Sequence, residues 1–173
     1  MVVVEVNGYT IEPGANLCGA DLTKANLEEA NLQGADLLRA YLPWANLKGT
    51  NLKGTNLEEA NFFKAYLVGA NLEGANLKGT NLKEARLHNA DLSKAYLVEA
   101  KLPRAILKGA KLEGANLFKA HLEGADLSRA YLEWANLRRA NLSGANLSKA
   151  KANENTGWPK GFDPVRAGVI FED

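Results

Sequence analysis

A chain of 173 residues that is 46% apolar, 24% charged and 8% aromatic is compatible with one globular domain and excludes a generally disordered state. With 21 Lys and Arg against 20 Asp and Glu, the formal net charge of +1 leaves no global field to draw nucleic acid, an anionic membrane or a basic partner, so electrostatic recognition is confined to local surfaces. The single cysteine, Cys18, excludes an intrachain disulfide framework and fits a reducing compartment.

The chain opens with MVVVEVNGYT, which carries neither a cationic leader region nor an apolar run of signal-peptide length. Residues 1–14 read as an N-terminal cap in which Val2, Val3, Val4 and Val6 form a first strand. No later segment is apolar for long enough to span a bilayer, so the expectation is a soluble, cytoplasmic protein without a membrane partner.

From residue 15 to residue 150 one five-residue word is repeated. Leu stands at 17, 22, 27 and onward in steps of five to 147, with Phe62 the single substitution, which makes 27 words in one register. Two residues before each sits Ala, replaced only by Thr50, Thr55 and Thr80, and the intervening place is mostly Asn, with Asp at 21, 36, 91 and 126. On an α-helix a step of five turns the chain by a net angle of about 140°, which scatters the leucines around the cylinder. On a straight strand an odd step sends successive leucines to opposite faces. Both objections vanish if the chain turns a corner once per word, because each Leu and its Ala then point to a common axis.

Four right-angle corners close one circuit in twenty residues. Gly34, Gly54, Gly74 and Gly114 are related by multiples of twenty, as are Gly49, Gly69 and Gly109, which predicts a glycine-dependent type II turn on two of the four sides. This run of A(N/D)LXX words resembles the pentapeptide-repeat family. The resemblance implies an all-β fold, a right-handed quadrilateral parallel β-helix, here a solenoid of about seven four-sided coils with short terminal caps. It also implies that Leu and the preceding Ala fill the interior while the other three places face water. Residues 151–173 form the C-terminal capping tail, with Trp158, Phe162, Val169, Ile170 and Phe171 expected to lie across the last coil. The string GWPKGFDP in this tail resembles those of cyanobacterial members.

Chemistry is scarce. His88 and His121 are the only histidines, and folding onto a twenty-residue circuit places His121 between Lys101 and Asn141, and His88 between Val68 and Lys108, which makes no metal site. No P-loop, dinucleotide fingerprint or HExxH motif occurs. Asp21, Asp36, Asp91 and Asp126 take the Asn place, where a short side chain bonds the turning backbone, so they read as structural. The expectation is a protein that is not an enzyme and carries no cofactor.

The outward places offer two candidate partner surfaces. Tyr41, Trp44 and Phe63 fall on one side in adjacent coils and form an apolar patch with Pro43, the competing reading being isolated aromatics packed on the wall. Arg86, Lys101, Arg104, Lys108 and Lys111 form a basic seam in the least regular stretch, which either binds an anionic partner, marks a join between two arrays, or is neutralised by Glu84, Glu99 and Glu113. The favoured function is a non-catalytic scaffold that presents rigid walls to a protein partner. The alternative that the family resemblance brings is a DNA-mimic inhibitor or modulator of DNA gyrase, but residues 15 to 149 carry 18 basic side chains against 14 acidic ones, the wrong sign for a DNA surrogate. Direct nucleic-acid binding needs a stronger basic face than this seam. A monomer and an end-to-end dimer both stay open.

Overall fold

The computed structural model describes residues 4–171. Four ladders of parallel pairing rise along the repeat region, starting at Asn16, Asp21, Asn26 and Asn31, and each rung joins a residue to the one twenty positions on, as in Asn16 to Asp36 and Asp36 to Asn56. One residue per word pairs in this way because the rest of the word is spent on its corner.

The backbone accounting of a word explains why this shape satisfies the sequence. Leu77 N–H donates to Tyr96 O (2.8 Å), Tyr96 N–H donates back to Ala75 O (2.9 Å), and Gly79 N–H reaches Val98 O (3.0 Å). Thr80 N–H then closes the corner onto Leu77 O (3.1 Å). A word inside the stack therefore makes three bonds between circuits and one within its own corner, and its main-chain polar groups are paired without a long strand.

At the corners the structure departs from the glycine-based expectation. All 27 residues at the last place of the word, from Gly19 to Lys149, have φ between +53° and +68°, and sixteen of them are not glycine, Trp44, Lys94 and Trp134 among them. Positive φ at the third residue of an i to i+3 turn, and not at the second, is the type II pattern, so all four sides use it. Non-glycine residues tolerate this conformation because the corner's own N–H is tied to the next circuit, as Lys94 N–H is to Glu113 O (2.9 Å). Gly74 has φ +64° and open space where a Cβ would stand. Gly74→Ala is therefore expected to cost only the backbone term, about 1 kcal/mol. Lys94→Gly, at φ +58°, should stay within about half a kcal/mol of the parent. Urea titration of the two variants checks both values.

The interior is made of the Leu and Ala columns, nearly all of them 0–2% exposed, with Phe62 accommodated at 1%. The three threonines that replace Ala are also buried, and each satisfies its hydroxyl by donating to a main-chain carbonyl: Thr50 to Leu27 O, Thr55 to Leu52 O and Thr80 to Leu57 O, all at 2.7 Å. The Asn place works as expected. Its side-chain oxygen accepts the N–H two residues on, as Asn46 does from Lys48 and as Asp21, Asp36, Asp91 and Asp126 do from Thr23, Leu38, Ser93 and Ser128. At several words its amide also reaches the same place one circuit below, Asn46 Nδ2 to Asn26 Oδ1 at 3.2 Å and Asn51 Nδ2 to Asn31 Oδ1 at 3.1 Å, so these Asn stabilise both their corner and the stack.

At the N-terminal end β1 (Val4–Val6) pairs antiparallel with β2 (Tyr9–Ile11). Ile11 is buried, and Val6 and Tyr9 pack against the core; Val2 and Val3 lie outside the described residues. At the other end Gly157 continues the first ladder above Asn136, and Thr156 repeats the interior threonine device by donating to Leu132 O (2.9 Å). Trp158 and Phe162 stack at 5.4 Å, both packed on the core, and Val169 is buried. Ile170 and Phe171 do not cover the last coil. They form β4 (Ile170–Phe171), parallel to β3 (Lys151–Ala152), and remain 47% and 46% exposed, because they are taken up as one more rung of the fourth ladder and held by backbone pairing rather than by burial.

Candidate interaction surfaces

The twenty-residue pitch decides which outward side chains meet. Among the described residues seven Lys or Arg ion pairs with Asp or Glu join residues twenty apart, including Arg39 with Glu59 (2.7 Å), Lys48 with Glu28 (2.9 Å), Lys53 with Glu73 (2.7 Å) and Lys78 with Glu58 (3.0 Å). They are solvent-exposed, so each contributes little by itself. Together they pair seven of the fourteen acidic side chains of residues 15 to 149 with a cation of an adjacent circuit.

These contacts hold several carboxylates below their ordinary range: Glu28 through hydrogen bonds from Lys48 and Asn46, Glu58 through Lys78 and Asn76, and Glu99 through Lys119. For Asp91, burial opposes ionisation, but the Ser93 hydroxyl and N–H and the Lys111 charge outweigh it. A carboxylate with a lowered folded-state pKa stabilises the fold above its unfolded value and loses that contribution as pH falls through the folded one. Thermal unfolding followed by circular dichroism is thus expected to give a flat Tm from about pH 7 to 5 and a falling Tm below about pH 4. A Tm that rises on acidification would show that these pairs do not form.

The aromatic patch is assembled in part. The rings of Trp44 and Phe63 meet edge to face at 5.5 Å with an interplanar angle of 81°, and Lys64 and Lys83 lie 5.2 and 6.0 Å from the Phe63 centroid. Tyr41 stands in the same wall's ladder, between Asp21 and Asn61, with no ring contact to Trp44 or Phe63. Tyr41 and Trp44 are exposed, Phe63 is half-buried, and Pro43 is buried beneath them.

The basic seam is not brought together. Lys101 stands in the second ladder, Arg86 and Lys108 on the third wall, Lys111 in the fourth ladder, and Arg104 at a corner between the second and third, because consecutive words point in different directions. Arg86 is spent on Tyr66, lying 4.7 Å over its ring and donating to its hydroxyl, and Lys111 pairs with Asp91 at 3.6 Å. The acids expected to neutralise the seam bond elsewhere: Glu84 to Lys64, Glu99 to Lys119, and Glu113 to the Ser93 hydroxyl. They follow the column and not the sequence neighbourhood.

His121 takes its place in the ladder between Lys101 and Asn141, but its Nδ1 also lies 3.4 Å from Glu123 Oε1, which in turn accepts from Asn141 Nδ2 at 2.7 Å. The sequence reading missed this contact by searching adjacent coils and not the same word. Among the described residues no group of three or more His, Cys, Asp or Glu could hold a metal ion, and Cys18 is a free, exposed thiol. A groove beside His121 includes Glu59 and Glu99, both already engaged by Arg39 and Lys119. No nucleophile and base pair is assembled there.

The pattern of this chain is shared with known proteins. The family described as Pentapeptide repeats matches in eight copies, over residues 13–49, 40–79, 80–117 and 115–151. Among solved structures, the pentapeptide repeat protein alr5209 from Nostoc Pcc 7120 is 42% identical over 59% of this chain and 84% of its own, with a TM-score of 0.58. The pentapeptide repeat protein Rfr23 from the cyanobacterium Cyanothece 51142 is 37% identical over 65% of this chain and 90% of its own, with a TM-score of 0.64. QnrB1, a plasmid-mediated fluoroquinolone resistance protein, shares the fold at 19% identity, covering 91% of this chain and 79% of its own with a TM-score of 0.63. No curated protein matches the chain. No helix among the described residues is long and apolar enough to cross a membrane. Proteins of this family fold as right-handed quadrilateral β-helices, and the repeat, the twenty-residue ladders and the family match agree: the chain belongs to the pentapeptide repeat family.

Proposed function

We propose that this protein is a non-catalytic interaction scaffold of the cytoplasm, a rod of about seven four-sided coils whose second wall docks a protein partner through Tyr41, Trp44 and Phe63. The observation that carries the reading is the exposed Trp44 edge set against Phe63 on a wall that cannot relax around it, since Leu42 and Phe62 behind are fully buried. Large aromatics on rigid elements are the anchors from which protein interfaces gain most of their energy. An enzyme would need a nucleophile set against a base, whereas here the axis is filled with Leu and Ala and the acids in the groove beside His121, Glu59 and Glu99, are already engaged by cations. The likeness to QnrB1 supports the fold alone, and a repeat region whose 18 basic side chains outnumber its 14 acidic ones does not present the dense negative field that imitation of DNA requires.

The test is affinity capture from the source cell with the parent protein, the double variant Trp44→Ala with Phe63→Ala, and Glu73→Ala on another wall as control. A protein retained by parent and control but lost from the double variant, with Tm unchanged, is the expected result. Identical captures from all three would overturn the assignment of this wall. A gyrase supercoiling assay run alongside is expected to show no inhibition, and inhibition at sub-stoichiometric protein would favour the gyrase alternative.

A further inference from the structure

We infer that the C-terminal end of the fourth wall is a second recognition site, built to take a guanidinium-bearing segment of a protein partner. It lies on a different wall from the aromatic patch and rests on different chemistry. Along this wall the fourth places of the words, from Lys53 onward, read Lys53, Glu73, Ser93, Glu113, Glu133 and Asn153. In the early circuits charges cancel, Lys53 with Glu73 at 2.7 Å and Lys111 with Asp91 at 3.6 Å. Beyond Glu113 the cancellation stops. Neither Glu133 nor Glu154 has an ion-pair partner among the described residues, and Glu113 has only the Ser93 hydroxyl, at 3.3 Å. Lys151, in the ladder of the same wall, lies over the Tyr131 ring at 5.4 Å.

Two independent observations turn these acids into a site. The first is shape: Glu113, Glu133, Trp134, Asn153, Glu154 and Phe171 enclose a cleft of about 820 Å³, which suits a short stretch of chain rather than a single ion. Its two apolar sides are large rings left in water, Trp134 at 62% exposure and Phe171 at 46%. Trp134 is turned outward by its corner φ of +58°, and Phe171 is carried to the cleft by the pairing of β4 with β3. The second is an unmet bond. The half-buried Glu133 carboxylate has one oxygen, Oε2, with almost no solvent contact and no hydrogen-bond donor among the described residues, a costly state that a ligand's donor would relieve once the side chain turns into the cleft.

Carboxylates at the base and aromatic faces at the rim select a planar cation. Arginine supplies parallel N–H donors to a carboxylate and stacks on a ring, while lysine can offer only a strongly hydrated point charge. The neutral wall elsewhere leaves this end as the local negative field that such a segment would meet.

Isothermal titration of the full chain with an acetylated, amidated Gly-Arg-Gly-Arg-Gly peptide at about 50 mM salt tests the site. Saturable 1:1 binding is expected, weakened about tenfold or more when citrulline replaces arginine and several-fold when lysine does. Glu133→Gln and Trp134→Ala should each weaken it about tenfold, while Trp44→Ala leaves it unchanged. Glu133→Gln keeps the side-chain volume, so it remains informative if Trp134→Ala disturbs folding. Equal affinity for the citrulline peptide, an unchanged Glu133→Gln, or loss caused by Trp44→Ala would each overturn the assignment. The last of these would move the binding to the aromatic wall.

Discussion

Leu77→Ala is expected to lower the unfolding free energy by about 2–5 kcal/mol. The side chain is 1% exposed and stands in its column between Leu57 and Leu97, both fully buried. The cavity cannot close by moving those neighbours. Each is pinned through its own N–H to the circuit above, Leu57 to Asn76 O at 2.7 Å and Leu97 to Asn116 O at 2.8 Å, and a shift of one circuit would break rungs on both sides. Leu77→Met, which conserves volume, should cost less than about 1.5 kcal/mol. Urea titration followed by far-ultraviolet circular dichroism distinguishes the two. In a stack where each circuit touches only its neighbours, a central cavity also weakens coupling between the halves, so the alanine variant should show a broader transition. A loss below about half a kcal/mol would contradict the inward Leu column.

Much of this architecture was legible because a strict period leaves few shapes that can bury its leucines. The Leu and Ala columns, the twenty-residue circuit and the backbone role of the Asn place all follow from counting. Trp44 and Phe63 were also findable, since they stand nineteen residues apart and so in adjacent circuits. What escaped was whatever depends on the stack and not on the word. Glycine marked only some corners, yet Trp44 and Lys94 adopt the same left-handed conformation because circuit-to-circuit bonds hold them there. The basic residues from 86 to 111 are neighbours in sequence, but the chain carries them onto different walls, and ion pairs follow the twenty-residue column instead. The acidic cleft was invisible for a related reason: Phe171 reaches it through a tail whose path no repeat announces.

The sharpest test of the interior is Ala95→Asp, expected to cost more than about 4 kcal/mol at pH 7. Ala95 is 1% exposed, and its N–H and C=O are already committed, to Leu92 O at 3.0 Å and from Asn116 N–H at 2.9 Å, so an introduced carboxylate would be buried without a counter-charge. The threonines show what the interior does accept: a single hydroxyl within reach of a carbonyl oxygen, as Thr80 has in Leu57 O. A carboxylate needs donors, and a carbonyl repels it. Desolvation would raise the folded-state pKa of the new group above its unfolded value of about 3.9. Its cost is then largest above the folded value and shrinks as pH falls towards the unfolded one. The variant should therefore regain stability between about pH 7 and 5, a window in which the parent is expected to stay flat. Ala95→Asn, similar in size but without the charge, should be destabilised at every pH with no such recovery. If the two variants behaved alike across that range, the side chain would be reaching water, and the Ala column could not line the axis of the rod.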